Sequence, residues 1–267
     1  MTESTLRLAA FLGVLLALLL AERLVPWAQP RPLGWRRWVP NFGLVALGAA
    51  LLRLGMPFVA VGAAAWAQGQ GLGLLRGLPL WAGVAASIVL LDLVIYAQHR
   101  VFHRVPLLWR LHRVHHADPE LDASSGLRFH PIEIWLSMWV KIAAVVALGL
   151  PPEGVVAFEI LLNASSMFEH AAIRIPPRLD RVLGWLIVTP RQHRIHHSER
   201  PEETDSHYGF FLSVWDRVFG SWRGSHQGEL VLGVRGWRAA DQQEIGALLA
   251  QPFRSASPGS DRAPGGA

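Results

Sequence analysis

Long apolar segments separated by short polar ones dominate the first part of the chain. Residues 8–21 carry no charge, residues 41–66 carry Arg53 alone, and residues 79–97 carry Asp92 alone. A helix needs about 20 apolar residues to cross the hydrocarbon core of a bilayer. The pattern therefore predicts three membrane-spanning helices. The first is expected to be retained, because residues 1–7 lack the net positive charge of a signal peptide.

The second apolar stretch has two open interpretations. An arginine at mid-bilayer costs about 2.5–3.5 kcal/mol on insertion scales. Either Arg53 faces the interior of the bundle, or the helix breaks near Gly55, Met56 and Pro57. The glycine-rich residues 68–78 that follow lack both a preceding strand and the GK[ST] ending of a phosphate loop, so we expect a loop between helices.

Two further apolar segments, 132–150 and 154–168, flank Pro151 and Pro152. Both are short for full spans, so they predict a hairpin that enters the membrane and returns to the side where it began. Residues 182–188 are too short to span and are expected at the membrane interface. Together the segments predict an all-α integral membrane protein with four to five membrane-embedded helices and a histidine-rich helical cap.

Composition divides the chain into three predicted regions. Residues 1–78 hold the N-terminal transmembrane helices, residues 79–238 a histidine-rich domain, and residues 239–267 a C-terminal helix and tail. The residues after Gln251 are rich in Pro, Gly and Ser, which predicts disorder.

Overall composition agrees with a membrane protein and restricts its chemistry. Of the 267 residues, 51% are hydrophobic and 17% are charged, against about 25% charged in soluble domains. The net charge of +5 comes mainly from arginine, which in a membrane protein marks cytoplasmic loops rather than nucleic-acid binding. Because the chain has no cysteine, a metal would be held by His, Asp, Glu, Asn or water.

Arginines also set the expected orientation. Arg31, Arg36 and Arg37 lie between the first two apolar segments with tryptophans interleaved, as in a cytoplasmic loop at the interface. The first span then runs inward, the second outward and the third inward. The histidine-rich residues that follow the third span are thereby placed on the cytoplasmic face. If 131–169 is a hairpin, residues 193–197 lie on that face too.

Two short stretches, 99–116 and 193–197, contain eight of the twelve histidines at regular spacing. The first holds an HxxxH box and an HxxHH box, and the second repeats the HxxHH. Positions i, i+3 and i+4 share one face of a helix, so each box directs its imidazoles at one point. Imidazole is the commonest metal ligand, and eight are too many for one ion and suit two. Histidines scattered over surface and core, the alternative, would not show this spacing.

Three more residues near the boxes are candidates for a role. Asp92 lies seven residues before His99, and either accepts a hydrogen bond from a metal-bound imidazole or is an interior hydrogen-bonding aspartate. His130 precedes Pro131, and either assists the metal site or caps a helix that begins with the proline. His170, at the end of the hairpin, is a candidate for a single ligand between the boxes.

The segments HRVFH, HRVHH, LRFHPIE, MFEH, HRIHH and WDRVFG occur in this order between about residues 79 and 222. They resemble the fatty acid hydroxylase/sterol desaturase superfamily of membrane di-iron enzymes. The resemblance implies nine metal ligands: His99, His103, His112, His115, His116, His170, His193, His196 and His197. Two departures affect the surroundings, since Ala172 and His207 stand where the family often has Asn. Asp92, His130 and His207 are candidates for hydrogen-bond partners of the ligands or for extra ligands.

The resemblance also implies an activity. Two iron ions with O2 as co-substrate would hydroxylate or desaturate a C–H bond of a lipid, of the sterol or fatty-acyl type. The choice of reaction and of substrate stays open. Electrons would come from a separate reductase, cytochrome b5 or ferredoxin-type donor, because the chain has no cysteine for an iron–sulfur cluster and no GxGxxG after a strand. The residues expected to bind that donor or, alternatively, lipid headgroups are Arg104, Arg110, Arg113 and Arg194.

Two other classes of protein are alternatives. A metal-dependent membrane hydrolase would use metal-bound water as nucleophile, but it normally needs fewer histidines and a carboxylate base, as in HExxH, which the sequence lacks. A metal transporter should hold its ligands near mid-membrane on interrupted helices, whereas these histidines lie at the ends of apolar segments. The oxidoreductase is therefore the leading hypothesis.

Overall fold

The described structure is built from helices. The computed structural model describes residues 2–27 and 33–255, and within these ranges it contains no strand, although three isolated β-bridges occur. The α-helices are α1 (Glu3–Leu24), α2 (Trp38–Gly55), α3 (Ala60–Gly69), α4 (Leu80–Arg104), α5 (Pro106–His116), α6 (Pro131–Leu148), α7 (Pro152–His170), α8 (Pro177–Leu183), α9 (Pro190–His196), α10 (Pro201–Thr204), α11 (Val214–Val218) and α12 (Ile245–Ala250). Short 3-10 helices lie at Gly34–Arg37, Ala123–Leu127, Ala240–Gln243 and Gln251–Phe253. The predicted all-α class is confirmed.

Four segments are long and apolar enough to cross a membrane, which fits the four to five membrane-embedded helices predicted but adds one span, Pro131–Leu148, that was expected to be too short. They are Glu3–Leu24, Gly34–Gly69, Leu80–Arg104 and Pro131–Leu148. The second contains the interruption that the sequence left open. Its helix α2 ends at Gly55, ahead of Pro57, and Arg53 is exposed beside the break. The helix therefore breaks, and Arg53 does not face the bundle interior.

The helices α6 and α7 form a hairpin, as the paired prolines predicted. Pro131 occupies the first turn of α6, and the preceding His130 side chain accepts the amide hydrogen of Ile132 at 3.2 Å. Gly149 ends α6 with a φ of 68°, a left-handed conformation that glycine adopts without strain. The return helix α7 packs against α1 and α4 and ends at His170.

Close contact between α4 and α7 depends on one glycine. A Cβ atom added at Gly154 would lie 2.2 Å from the hydroxyl oxygen of Ser87 and 3.2 Å from the Cα of Val84. A side chain at position 154 would therefore push the two helices apart. Around this contact, apolar side chains of α3, α4, α6 and α7 form the main core, in which Leu91 and Val145 are fully buried.

An ion-paired group lies among the apolar helices. The Nζ of Lys141 lies 2.6 Å from one carboxylate oxygen of Glu159, and Nη2 of Arg7 lies 2.7 Å from the other. Lys141 and Glu159 are both buried. A buried charge without a partner of opposite charge is costly. In this group the carboxylate of Glu159 is paired with both cations, so the ion pairs connect α1, α6 and α7.

The 3-10 helix Gly34–Arg37, directly before α2, lies at the histidine-rich end of the bundle. The buried guanidinium of Arg37 lies 2.5 Å from Asp118 Oδ2 and also pairs with Asp122, both just after the second histidine box. At the opposite end, the loop before α4 contacts the turn between α6 and α7, where Leu75 N donates to Leu148 O at 2.8 Å. All the histidine boxes therefore lie at one end of the bundle, and the opposite end has none.

Two parts of the sequence interpretation lie outside the described residues. These are Arg31, expected in the same loop as Arg37, and residues 256–267 of the tail predicted to be disordered after Gln251. The start of that tail is ordered instead, because Gln251–Phe253 form a 3-10 helix in which Pro252 is buried. Before that tail, α12 packs against α2, and Gln251 is buried.

Candidate metal centre

Nine buried histidines converge at one end of the bundle. Eight of them lie on α4, α5, α7 and α9, and the ninth, His197, directly follows α9. They form two groups, and within each group one ring nitrogen per histidine lies within 4.8 Å of the others. The first group is His99, His103, His112, His116 and His196, and the second is His115, His170, His193 and His197. These are the nine residues that the family resemblance implied.

Local sequence sets the direction of the histidines. The helix α4 keeps His99 and His103 one turn apart, and Pro106 starts α5 immediately afterwards. The helix α9 likewise begins with Pro190, after the capping residue Thr189. Because the histidines of each box are spaced by one helical turn, their imidazoles lie on one face of the helix, and this face points toward the site.

Backbone carbonyl groups orient two imidazoles of the first group. The Nδ1 of His99 donates to Tyr208 O at 2.8 Å, and the Nδ1 of His196 donates to Ser206 O at 2.6 Å. A carbonyl oxygen can only accept, so each Nδ1 carries the hydrogen and each Nε2 presents a lone pair. These two Nε2 atoms lie 3.0 Å apart. Two lone pairs at this distance repel each other unless a cation lies between them.

The second group shows the same arrangement. The Nδ1 of His170 donates to Ser166 O at 2.6 Å, and the Nδ1 of His115 donates to Arg128 O at 3.2 Å. Their Nε2 atoms therefore face each other as lone pairs, 3.1 Å apart. The Nε2 atoms of two histidines of the third box lie 3.0 and 3.1 Å from that of His170.

These contacts fit bound metal ions better than hydrogen bonds. A ring nitrogen has a single hydrogen or a single lone pair, so His170 Nε2 cannot bond to three nitrogens at once. Nitrogen ligands of a tetrahedral ion lie about 3.3 Å apart when each is about 2.0–2.1 Å from the metal. In the first group, Nε2 of His112 and of His116 and both ring nitrogens of His103 are buried without a hydrogen-bond partner among the described residues. The donor set fits two ions, one in each group.

Burial also keeps these imidazoles neutral near pH 7. It lowers the pKa of His112 to about 3. Burial, with repulsion from neighbouring imidazoles, lowers the pKa of His115, His116 and His193 well below the ordinary value of 6.5. Neutral imidazole is the form that binds a metal, so burial keeps these histidines in the protonation state that metal binding requires.

Glu133 is a candidate functional residue that the histidine spacing did not reveal. Its Oε1 accepts the Nδ1 hydrogen of His112 at 2.6 Å, and both side chains are buried. A carboxylate behind a metal-bound imidazole fixes the ring and raises its basicity. A second buried carboxylate, Glu169, lies 3.6 Å from His193 Nδ1 and 3.8 Å from His170 Nδ1. In the sequence, the one feature that could have pointed to Glu133 is its position at the end of the LRFHPIE segment.

Asp92 agrees with the interior hydrogen-bonding interpretation. Its carboxylate accepts hydrogen bonds from Phe211 N at 3.2 Å, Leu212 N at 3.0 Å and Trp215 Nε1 at 2.9 Å. These donors all follow the third histidine box. Asp92 therefore anchors that segment to α4, and its described hydrogen bonds go to these groups rather than to a histidine.

His130 and His207 belong to neither histidine group. His130 caps α6, and its Nε2 lies 3.3 Å from Leu249 O. His207 has a φ of 51°, and its Nε2 donates to Arg223 O at 2.7 Å. Outside glycine, the left-handed region favours Asn, Asp and His. This preference accounts for a histidine where the family often has Asn.

Two of the four arginines expected at a docking surface are buried, so that part of the prediction was wrong. Arg113 donates from Nη2 to Gln251 O at 2.8 Å, and its guanidinium lies 4.5 Å from the centroid of an indole ring. Arg194 likewise donates to a backbone carbonyl and lies 4.7 Å from another indole. Both arginines therefore connect segments of this chain rather than form a docking surface. Of the other two, Arg104 is exposed and Arg110 is partly exposed.

The fold and the site define a helical protein with candidate membrane spans and a histidine-rich candidate metal centre. A family model described as fatty acid hydroxylase matches residues 84–221, more than half of the chain. The chain belongs to the fatty acid hydroxylase family.

Three relatives illustrate the range of similar proteins. Alkylglycerol monooxygenase of Xenopus tropicalis is 32% identical over 136 residues, which are 49% of this chain and 28% of that protein. Ornithine lipid hydroxylase OlsE of Rhizobium tropici is 28% identical over 178 residues, 66% of this chain and 51% of that protein. A very-long-chain aldehyde decarbonylase of Oryza sativa subsp. indica is 28% identical over 162 residues, 55% of this chain and 25% of that protein. The chain thus spans about half or less of the length of these relatives. No solved structure matches it.

Proposed function

We propose that the chain is a membrane oxidoreductase that uses two iron ions and O2 to hydroxylate a C–H bond of a lipid. The division of nine buried imidazoles into groups of five and four, with lone pairs that face one another, supports this most directly. Membership in the fatty acid hydroxylase family supports iron and O2 as the chemistry of such a centre.

Each group of histidines would hold one ion. When bound, the two irons would supply the activation of O2 needed to remove hydrogen from an unactivated C–H bond. The carbonyl groups of Ser166 and Tyr208 hold the ring of one ligand in each group, and Glu133 holds His112. Burial of all nine ligands excludes bulk water, which limits side reactions at the centre.

The relatives favour hydroxylation over desaturation and a membrane lipid as substrate. Two of them are named an alkylglycerol monooxygenase and an ornithine lipid hydroxylase. The site lies at the end of helices that are apolar enough to span a membrane, so a lipid substrate would approach it from the bilayer. Residues 79–238 would carry the reaction, with residues 1–78 as membrane helices.

We place the centre on the cytoplasmic face, where a separate electron donor of the reductase, cytochrome b5 or ferredoxin type would dock. Arg36 and Arg37 lie at the histidine end, and positive charge favours the cytoplasmic side. Among the arginines considered for docking, Arg104 at the end of α4 is exposed and is the strongest candidate.

Isotope labelling in membranes from cells that express the chain tests the proposal. With heavy-isotope O2 and a reductant, membranes with the natural chain should form a hydroxylated lipid that carries the label, and His193→Ala membranes should form none. Label that enters from water instead of O2 would contradict an oxygenase and favour the hydrolase.

A further inference from the structure

A cavity of about 700 Å³ opens between α8, α9 and α11, on the outer side of the helix that carries the third histidine box. Its size is typical of small-molecule sites. Its cationic and aromatic lining consists of Arg181, Arg191, Arg217, Arg223, Trp185 and Trp222. None of these residues belongs to either histidine group, so the cavity is separate from the candidate metal centre.

Positive charge exceeds negative charge in this cavity. Four arginines and two aspartates line the cavity, and both aspartates already interact with other groups of the protein. Asp216 accepts a hydrogen bond from Tyr208 N and one from Ser221 Oγ, both at 2.7 Å. Asp180 lies 3.6 Å from Nη1 of Arg191. The cavity therefore suits an anion.

Arg217 is held in place before any ligand binds. Its guanidinium carbon lies 4.4 Å from the ring centroid of Trp185 and 5.3 Å from that of Trp222. Its Nη1 donates to Ser213 O at 3.1 Å and its Nη2 to Gly184 O at 2.7 Å. A guanidinium fixed by stacking and hydrogen bonds loses little conformational freedom when it binds an anion.

The cavity lies beside the last turns of the candidate span α4. Tyr96 OH lies 2.8 Å from Ser221 Oγ, and Nη1 of Arg100 donates to Phe219 O at 3.5 Å. Tyr96 is eight residues from the end of α4 at Arg104, about 12 Å along the helix. If α4 spans a bilayer, this segment lies at the depth of the membrane interface.

Large apolar side chains are exposed at the cavity and next to it. Trp185 is 64% exposed, Leu186 67% and Val218 62%. Exposed tryptophan with arginine is typical of the headgroup level of a membrane. A planar guanidinium can also bind phosphate through two parallel hydrogen bonds. Because Arg217 already donates to Ser213 and Gly184, this role falls to the other arginines that line the cavity.

We propose that this cavity binds the phosphate of an anionic phospholipid, whose acyl chains lie along the exposed side chains of Trp185, Leu186 and Val218. The bound lipid would hold this surface on the membrane, one helix away from the histidine groups. The inference is independent of the proposed oxidation, because it concerns binding alone.

Native mass spectrometry of the detergent-purified chain, titrated with phosphatidylglycerol, tests this proposal. The natural chain should bind phosphatidylglycerol more tightly than diacylglycerol with the same acyl chains. In the double variant R181Q/R223Q the dissociation constant should rise about fivefold for each arginine removed. The matched variant R174Q/R178Q removes two exposed arginines that do not line the cavity and should bind as the natural chain does.

Three results would overturn the proposal. Equal losses in both double variants would indicate attraction to basic surface in general. Unchanged binding in R181Q/R223Q would show that these arginines do not bind the lipid, and it would favour another anionic partner, such as an acidic electron-donor protein. Displacement of the lipid by inorganic phosphate at similar concentrations would assign the cavity to a soluble phosphate. Iron content, measured on the same samples, keeps the outcome distinct from that of the proposed function.

Discussion

At the scale of single residues, the candidate centre depends on the groups that hold the imidazoles as well as on the imidazoles. Backbone carbonyl groups fix the tautomers of His99, His115, His170 and His196, so that each directs an Nε2 lone pair at another histidine. Glu133 does the same for His112. The histidine spacing predicts the ligands, but it contains no information about these partners, which lie outside the boxes, some nearby in the chain and one, Tyr208, far from its histidine.

Glu133→Ala should weaken iron binding in the first group about 10-fold to 100-fold, because the partner that fixes His112 is lost. Glu133→Gln keeps an accepting oxygen at this position and should lose less. Glu153→Gln, on an exposed side chain of α7, is the control. Titration against a chelator measures the affinity, and an unchanged affinity in Glu133→Ala would show that the carboxylate has no part in metal binding.

Asp92→Asn should destabilise the fold without removing iron. The new amide group would donate toward hydrogens of Phe211, Leu212 or Trp215, so at least one partly buried donor loses its acceptor. We expect a loss of about 1–3 kcal/mol, seen as a lower midpoint of thermal unfolding in detergent. Loss of iron at unchanged stability would instead make Asp92 a partner of the metal ligands.

At the scale of elements, prolines made the helix boundaries readable from the sequence. Helices α5, α6 and α7 begin at Pro106, Pro131 and Pro152, as expected from residues that cannot continue a helix but suit its first turn. The sequence could not decide whether Arg53 faces inward or the helix breaks. Both outcomes are compatible with the local residues; in the structure α2 ends at Gly55, and α3 after the break packs against α6 and α7.

Glu159→Ala should destabilise the bundle more than Lys141→Met. Without Glu159, two cations from α1 and α6 lose their shared carboxylate, which costs about 3–5 kcal/mol for a buried pair. Without Lys141, the pair of Glu159 and Arg7 is kept. Thermal unfolding in the same detergent compares the two variants, and equal shifts of the midpoint would contradict the shared-carboxylate arrangement.

At the scale of the whole molecule, the fold gathers histidines from four helices at one end of the bundle. The sequence predicted this meeting, because each box ends an apolar segment and the hairpin returns His170 to the same side. The division into five and four was not predictable. His115 and His116 are adjacent but point about 100° apart on α5, so they join different groups, and the sequence does not show how α5 is rotated.

The absence of cysteine allows a direct test of orientation. Arg36→Cys and Arg104→Cys place a thiol at the histidine end, and Glu153→Cys places one at the opposite end. If the centre is cytoplasmic, a membrane-impermeant maleimide added to intact cells should label Glu153→Cys alone. The two arginine variants should react after lysis. The reverse pattern would place the centre on the outer face.

The central claim is that the two histidine groups hold two iron ions, and metal analysis of the detergent-purified chain by mass spectrometry tests it most directly. We predict about two irons per chain, fewer in His115→Ala, and the full content in His130→Ala, whose histidine caps α6 outside both groups. Zinc alone or no metal in every preparation, or equal losses in the two variants, would contradict the claim.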